Sequence, residues 1–334
     1  MTCELVFALP ASSDEVSGGN LFNAQLIRAL ALRQDLTVSV LSVARCRARI
    51  EQGRAGHYFI DSLDFADFAS FPARVRDQHV RLIVHHLPSL EPDVAADDPA
   101  LQLERAVLPR FDGFIATSPF TAELLRERGF DPAQILTVLP APPAAVAAVA
   151  TPTPPFVFSM AGNLIPRKGY VEFFERLAQH MNATHQFQFE VAGRSDLDLR
   201  YAERCRQLVQ GCELRARVRF VDAVPFERMR ECYARAAAFV SASKMETFGM
   251  ALQEARVHGL PILAVDGGYT RHHFSADANG LLFQSSDALA RGVLALVREP
   301  ARMLELVRSA QRMRAAHDYT WTDAAESFVQ QLFR

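Results

Sequence analysis

The feature that most limits what this chain can fold into is a rhythm that runs twice. In the first half, ELVFALP, LTVSVLS, RLIVHHL, DGFIATS and ILTVLP read as short buried strands. NLFNAQLIRALALR and PFTAELLRERG between them read as amphipathic helices, the second ending at Gly129. Strands that alternate with helices pair in parallel through crossovers, which points to an α/β fold. After Pro155 the rhythm restarts with FVFSMAG, FQFEVAG, ARVRFVDAV, AAFVSAS and LPILAVDG, and beyond Gly280 the pattern turns helical. Between the halves, Leu139 to Pro155 reads LPAPPAAVAAVATPTPP. Its prolines can continue neither a helix nor a central strand, so it reads as a semi-extended linker. The expectation is two doubly wound parallel-sheet domains, over residues 1–150 and 151–318. A last helix follows over 319–334, with Thr320 or Thr322 as its cap. A length of 334 residues suits two domains of ordinary size.

Composition excludes several classes. Hydrophobic content of 49% and charged content of 22% are those of a soluble globular protein. A formal net charge of −2 gives no general attraction to nucleic acid or anionic membranes. The basic run RCRAR, Arg45 to Arg49, reads as a solvated loop. The cysteine count is five, an odd number, with no C-x-x-C pair, which points to reduced thiols and a cytoplasmic setting. The start MTCELVFALP lacks the basic opening and apolar length of a leader peptide, and no apolar run is long enough to span a membrane.

Doubly wound domains bind ligands at the carboxyl ends of their strands, so the loops there carry the argument. Gly18 and Gly19 stand just before the first helix, where backbone amides can approach an anion closely; a plain turn would use them equally well. The pattern is not G-x-G-x-x-G, which removes the main support for a nicotinamide site. His85 and His86 end a strand, and adjacent strand residues point to opposite faces, so only one can face a ligand. No third ligand stands at a recognisable spacing, and no metal is expected. In GNLIPRKGY, Arg167 and Lys168 precede a glycine and a helix, a placement that suits a diphosphate. In KMETFGMALQEARVHG, Glu246 precedes a helix and Glu254 lies inside it. The free N–H groups of Phe248, Gly249 and Met250 at that helix start make an anion site. A carboxylate accepts at two oxygens and so can grip two neighbouring hydroxyls. An anion site flanked by hydroxyl grips has the shape of a sugar–diphosphate–ribose, although two surface glutamates are the commoner fate of such residues.

Taken in order, SGGN, the histidine of RLIVHH, DGFIATSPFTAELLRERGFDPAQILTVLP, GNLIPRKG and ETFGMALQEARVHGLPILAVDGG resemble a retaining family-four glycosyltransferase of the GT-B fold. The resemblance runs along nearly the whole chain, and the E-x7-E segment is its most specific part. It implies two Rossmann-like domains facing across a cleft, an acceptor-binding one first and a donor-binding one second, with the last helix crossing back to the first. It implies transfer of a hexose from a UDP- or GDP-sugar with retained configuration, without a metal or a cofactor beyond the nucleotide sugar. By motif, Glu246 would contact donor sugar hydroxyls, Glu254 the ribose diol, and His85 rather than His86 the donor sugar. Arg167, Lys168 and the amides of Phe248, Gly249 and Met250 would hold the diphosphate, with Gly18 and Gly19 closing on the phosphates. Gly193, Arg194 and Val224 of the VDAVP turn would lie near the base. Two departures stand out. Asn163 occupies the place where the family commonly has arginine, a role the adjacent Arg167 could take over. After DGG, the family's Pro-Glu pair is replaced by Thr270 and Arg271, followed by His272 and His273. A GT-B epimerase, a phosphorylase or a non-catalytic nucleotide-sugar-binding subunit are the alternatives; the acceptor and the oligomeric state are not encoded legibly.

Overall fold

A computed structural model gives the structure, described for residues 3–10, 13, 17–63, 78–143, 151–314 and 319–334. The chain forms two compact units, one of Met1–Ala141 with Tyr319–Arg334 and one of Pro142–Asp318. Part of the expected linker, residues 144–150, lies outside the described residues.

The first unit runs β1 (Cys3–Leu9), α1 (Gly18–Ala31), β2 (Leu36–Ser42), α2 (Val43–Glu51), β3 (Gly56–Asp61) and β4 (Gln78–Val84). It continues through α3 (Pro99–Val107), β5 (Gly113–Ala116), α4 (Pro119–Glu127) and β6 (Ile135–Thr137). Its six strands are parallel in the order β2-β1-β3-β4-β5-β6. All four helices open on a Ser or Asp whose side chain accepts from an N–H of the first turn, which satisfies a group the helix itself cannot. Two sequence expectations change here. The basic run is helix, not loop: Ser42 caps α2, Cys46 and Ile50 bury one face, and Arg49 pairs with Glu4 at 2.6 Å. GHYFID, which the sequence reading passed over, is a central strand with Tyr58, Phe59 and Ile60 fully buried.

The second unit runs β7 (Phe156–Ala161), α5 (Tyr170–His180), β8 (Phe187–Ala192), α6 (Leu199–Gln210), β9 (Val218–Val221) and α7 (Phe226–Arg235). Then come β10 (Ala238–Ser241), α8 (Met250–Val257), β11 (Ile262–Val265), β12 (Gly280–Phe283), α9 (Ser286–Arg298) and α10 (Pro300–Arg312). The sheet is again parallel and six-stranded, ordered β12-β11-β10-β7-β8-β9. Its central strands β10 and β11 are buried on both faces, while the edge strands β9 and β12 are only partly so. Ala238 and Val240 join the core of Phe158, Phe173 and Leu289, while Phe239 joins Tyr233, Leu252 and Ile262 on the other side. β12 corrects the reading that the chain turns helical at Gly280; the helix starts at Ser286, capped by Ser285.

Helix α11 (Trp321–Leu332) belongs to the first unit. Thr320 caps it in a reciprocal box with Asp323. Trp321 meets Phe22 edge-on at 5.7 Å, and Phe328 packs between Phe7 and Phe59. Burying Phe328 completely is worth about 2–3 kcal/mol.

In each sheet the strand order reverses once, between β1 and β3 in the first unit and between β7 and β10 in the second. Loops leaving the strands at such a reversal diverge to opposite faces and leave a crevice at their carboxyl ends, where ligands bind.

Candidate functional site

The residues singled out by sequence fall into two groups, one in each unit. In the second unit the loop after β7 and the loop after β10 leave from neighbouring strands at the reversal. Arg167 and Lys168 sit in a 3-10 turn, Pro166–Lys168, directly before α5. Glu246 lies in the exit loop of β10, only 9% exposed. The two loops are tied together. The Lys168 ammonium donates to Glu246 Oε1 at 2.6 Å, Arg167 Nη1 donates to the Met245 carbonyl at 3.0 Å, and Lys244 N donates to the Arg167 carbonyl at 2.9 Å. Burial pushes the Glu246 carboxyl up, but the charges of Lys168 and Arg167 and hydrogen bonds from Lys168 and Ser243 outweigh it. The carboxyl therefore stays below its ordinary value and ionised.

Gly249, at φ 93°, is the cap of α8, and no side chain caps that end. The first N–H groups of a helix have no partner within it and sit at the positive end of its dipole. Met250 holds the first position of α8, with Gly249 as its cap and Phe248 just before it, and no side chain takes up that end. Glu254, on the second turn of α8, accepts from the Tyr233 hydroxyl of α7 at 2.9 Å. Burial raises its pKa to about 7, against the opposing pull of that hydrogen bond. Burial, and next the Glu254 charge, push the Tyr233 phenol well above its ordinary value, so it remains a donor. Among the described residues no cation pairs with Glu254.

The remaining second-unit residues lie along the same strand ends. Gly193 follows β8, its N–H donating to the Val221 carbonyl at 3.2 Å. Arg194 forks onto Asp196 at 2.9 and 2.8 Å. Val224 packs against the cluster that holds Tyr233 and Leu252. Asn163 lies in the loop after β7, where the Leu164 N–H donates to the Arg194 carbonyl at 2.8 Å.

In the first unit, Gly18 and Gly19 open α1, with Ser17 accepting from Asn20 N at 3.1 Å. His85 follows β4 and is 7% exposed. A Cβ on Gly19 would come within 3.1 Å of its ring, so glycine is what lets the helix start lie against the imidazole. His85 Nε2 meets Asn23 Oδ1 at 3.0 Å and stands 3.6 Å from Asp61 Oδ2, while the Asn23 amide donates to Asp61. Because the Asn23 NH2 faces Asp61, its oxygen faces the histidine. That makes Nε2 the protonated nitrogen and leaves Nδ1 with the lone pair. Burial holds the His85 pKa down against the pull of Asp61, and burial pushes the Asp61 carboxyl up. His86 faces another way, with Nε2 2.7 Å from Glu91 Oε1.

Sequence reading missed Tyr233, Asn23 and Asp61. Asn23 stands four residues after Gly19, on the same face of α1, so a polar residue on a buried helical face was the available signal. Asp61 ends β3, the strand that was overlooked. Tyr233, in ECYAR, gave no cue. Among the described residues no group of three or more His, Cys, Asp or Glu is placed to hold a metal, and no helix is long and apolar enough to cross a membrane.

Comparison with known proteins adds to this geometry. The chain is similar to D-inositol 3-phosphate glycosyltransferase of Rhodococcus erythropolis, 24% identical over 273 residues. That match covers 77% of this chain but 61% of the relative's length. Among solved structures, Anabaena HepE in complex with UDP and glucose superposes with a TM-score of 0.75 at 15% identity, covering 99% of both chains. Sucrose-phosphate synthase from Thermosynechococcus elongatus gives 0.73 at 20% identity, again over 99% of both. At such identities the likeness shows the fold, two Rossmann-like parallel-sheet domains of the GT-B class. Residues 144–313, half the chain, match the family described as glycosyl transferases group 1. Lys168, Glu246 and Glu254 all lie inside that stretch, and the chain belongs to the glycosyl transferases group 1 family.

Proposed function

We propose that this protein transfers a hexose from a nucleoside-diphosphate sugar to an acceptor hydroxyl, with retention of anomeric configuration. The observation that carries the reading is the grouping around α8. A buried, ionised Glu246 held by Lys168 lies before the helix, an uncapped turn starts it, and a Tyr233-bound Glu254 lies one turn further on. In this reading Glu254 accepts from the ribose diol and Glu246 from hydroxyls of the donor sugar. Arg167, Lys168 and the amides of Phe248, Gly249 and Met250 take the diphosphate. Those donors are fixed before reaction, so they stabilise the charge that grows on the departing phosphate. The same phosphate oxygen takes the proton from the acceptor hydroxyl as the new glycosidic bond forms. Gly193, Arg194 and Val224 bound the base. HepE, which shares the fold, has been crystallised with UDP-glucose, and that supports a UDP-sugar as the first donor to try. The diphosphate's charge is met by this chain's own cations and amides, so transfer is expected to persist in EDTA.

The test is a thermal-shift panel with UDP, GDP, ADP and TDP on the wild type and on Glu254→Ala. A nucleotide at a hundred times its Kd adds about 2.7 kcal/mol, enough to move Tm by several degrees. A shift with one diphosphate that is lost in the variant names the base; NMR of the product from the matching sugar donor then reads the anomeric configuration. Sugar released or epimerised without an acceptor would favour the epimerase reading. No shift with any diphosphate would overturn the site.

A further inference from the structure

The loop after β11 is one of the two places where the sequence departs from the family it resembles, and the structure shows what it touches. Gly267 and Gly268 lie flat against the exit loop of β10. A Cβ on Gly267 would collide with the Lys244 carbonyl, and one on Gly268, at φ 59°, with the Glu246 carbonyl. The Tyr269 N–H donates to that Glu246 carbonyl at 2.8 Å, and Glu246 bridges Gly268. Thr270, fully buried, donates its hydroxyl to the Gly267 carbonyl at 2.7 Å and closes the turn. This brings His273, 3% exposed, under the cap of α8, where its Nε2 lies 2.5 Å from the Phe248 carbonyl oxygen. A carbonyl only accepts, so Nε2 carries the proton. The ring is held edge-on by Phe248 at 5.0 Å and by Tyr269 at 5.6 Å, and those two rings stack on each other at 5.6 Å. Burial, chiefly, brings the imidazole down to about 4, so it donates as a neutral group.

The C=O and N–H of one trans peptide point in opposite directions in a common plane. Fixing the Phe248 carbonyl on His273 therefore fixes the Gly249 N–H on the other side. That matters at Gly249, because a glycine peptide is the one most free to turn over.

We propose that His273 is a positioning residue for the donor diphosphate: it locks the Phe248–Gly249 peptide so that the Gly249 N–H faces the phosphate. The inference rests on the reading of the α8 turn as the diphosphate site and adds a residue that acts through it without touching substrate.

The test measures the affinity of the preferred nucleoside diphosphate and of its parent nucleoside by calorimetry, for wild type, His273→Leu and His273→Gln. The Leu variant is expected to lose about tenfold for the diphosphate, the worth of one good hydrogen bond to a charged group, and to keep its nucleoside affinity. Gln carries an NH2 at the place of Nε2 and is expected to restore most of the diphosphate affinity. An unchanged diphosphate affinity in His273→Leu overturns the inference. So does an equal loss for both ligands with no rescue by Gln, which would mean a core residue only. A wild type that binds no nucleoside diphosphate overturns the reading of the site, and the inference falls with it.

Discussion

Asp61 in the first unit and Glu246 in the second are both buried carboxyls at the end of a sheet's central strands, and burial pushes both upward. They end on opposite sides of the ordinary value. Asp61 has Asn23 and a neutral-leaning His85 beside it, and it stays raised. Glu246 has Lys168 at 2.6 Å and Arg167 nearby, and it is lowered. Glu254 is the intermediate case, partnered by a single phenol and raised to about 7. Depth alone does not set the charge of a buried acid; the presence of a cation does. The second unit therefore carries fixed charge, which the proposed function assigns to a diphosphate and sugar. The first unit carries a buried acid beside one histidine, each pushed by burial toward its uncharged form.

Four predictions sharpen or break that contrast. The largest effect is expected from Lys168→Ala. Removing a donor aimed at growing negative charge costs about a hundredfold in kcat or more by steady-state kinetics, and it strands Glu246 without its cation. Unaltered kinetics would place the diphosphate elsewhere. Glu254→Ala comes next, with Kd for the nucleoside diphosphate rising about tenfold by calorimetry. The rise should shrink when the ligand lacks a ribose hydroxyl; a rise of equal size there would remove the diol from the reading.

The third is a pH dependence. The ionised Glu254 is the better acceptor for two hydroxyls, so wild-type nucleotide affinity should climb from pH 6 to pH 8, through the folded pKa of about 7, and level off in Glu254→Gln. Stability runs the other way. With a folded pKa raised above the ordinary 4.5, this group's contribution to stability is lost as pH rises between those two values. Glu254→Gln should therefore gain Tm over wild type at pH 8 and little at pH 5, and a constant difference would contradict the raised pKa. The smallest effect separates the two units directly. Asp61→Asn removes a buried carboxyl that pairs with no lysine or arginine among the described residues and keeps an oxygen to accept from Asn23, so it should move Tm by only about a degree or two. Glu246→Gln breaks a buried ion pair and should lower it by several degrees. Equal shifts would erase the contrast.

Ten of the twelve described strands stand where short apolar runs stood in the sequence; the central ones, buried on both faces, are apolar nearly throughout, while the edge strand β2 keeps valines and leucines without burying any residue fully. GHYFID was missed because its glycine, histidine and aspartate dilute the run, and GLLF because it is short and adjoins a helical pattern. RCRARIE was misread because four charges hide two buried positions, Cys46 and Ile50. The E-x7-E pair was legible since the spacing lies within one loop and helix. The Thr270–His273 segment was legible only as a departure, since its contacts are to a loop some twenty residues earlier.

The sequence by itself determined the alternation of strand and helix, the break between the halves, and the short motifs at strand ends, all of which depend on residues close along the chain. Which carboxylate receives a cation was decided only by tertiary structure. Lys168 and Glu246 are 78 residues apart and meet because β7 pairs with β10. Tyr233 reaches Glu254 because α7 and α8 pack on the same face of the sheet. Strand order is a long-range choice, and the electrostatics of the site follow from it.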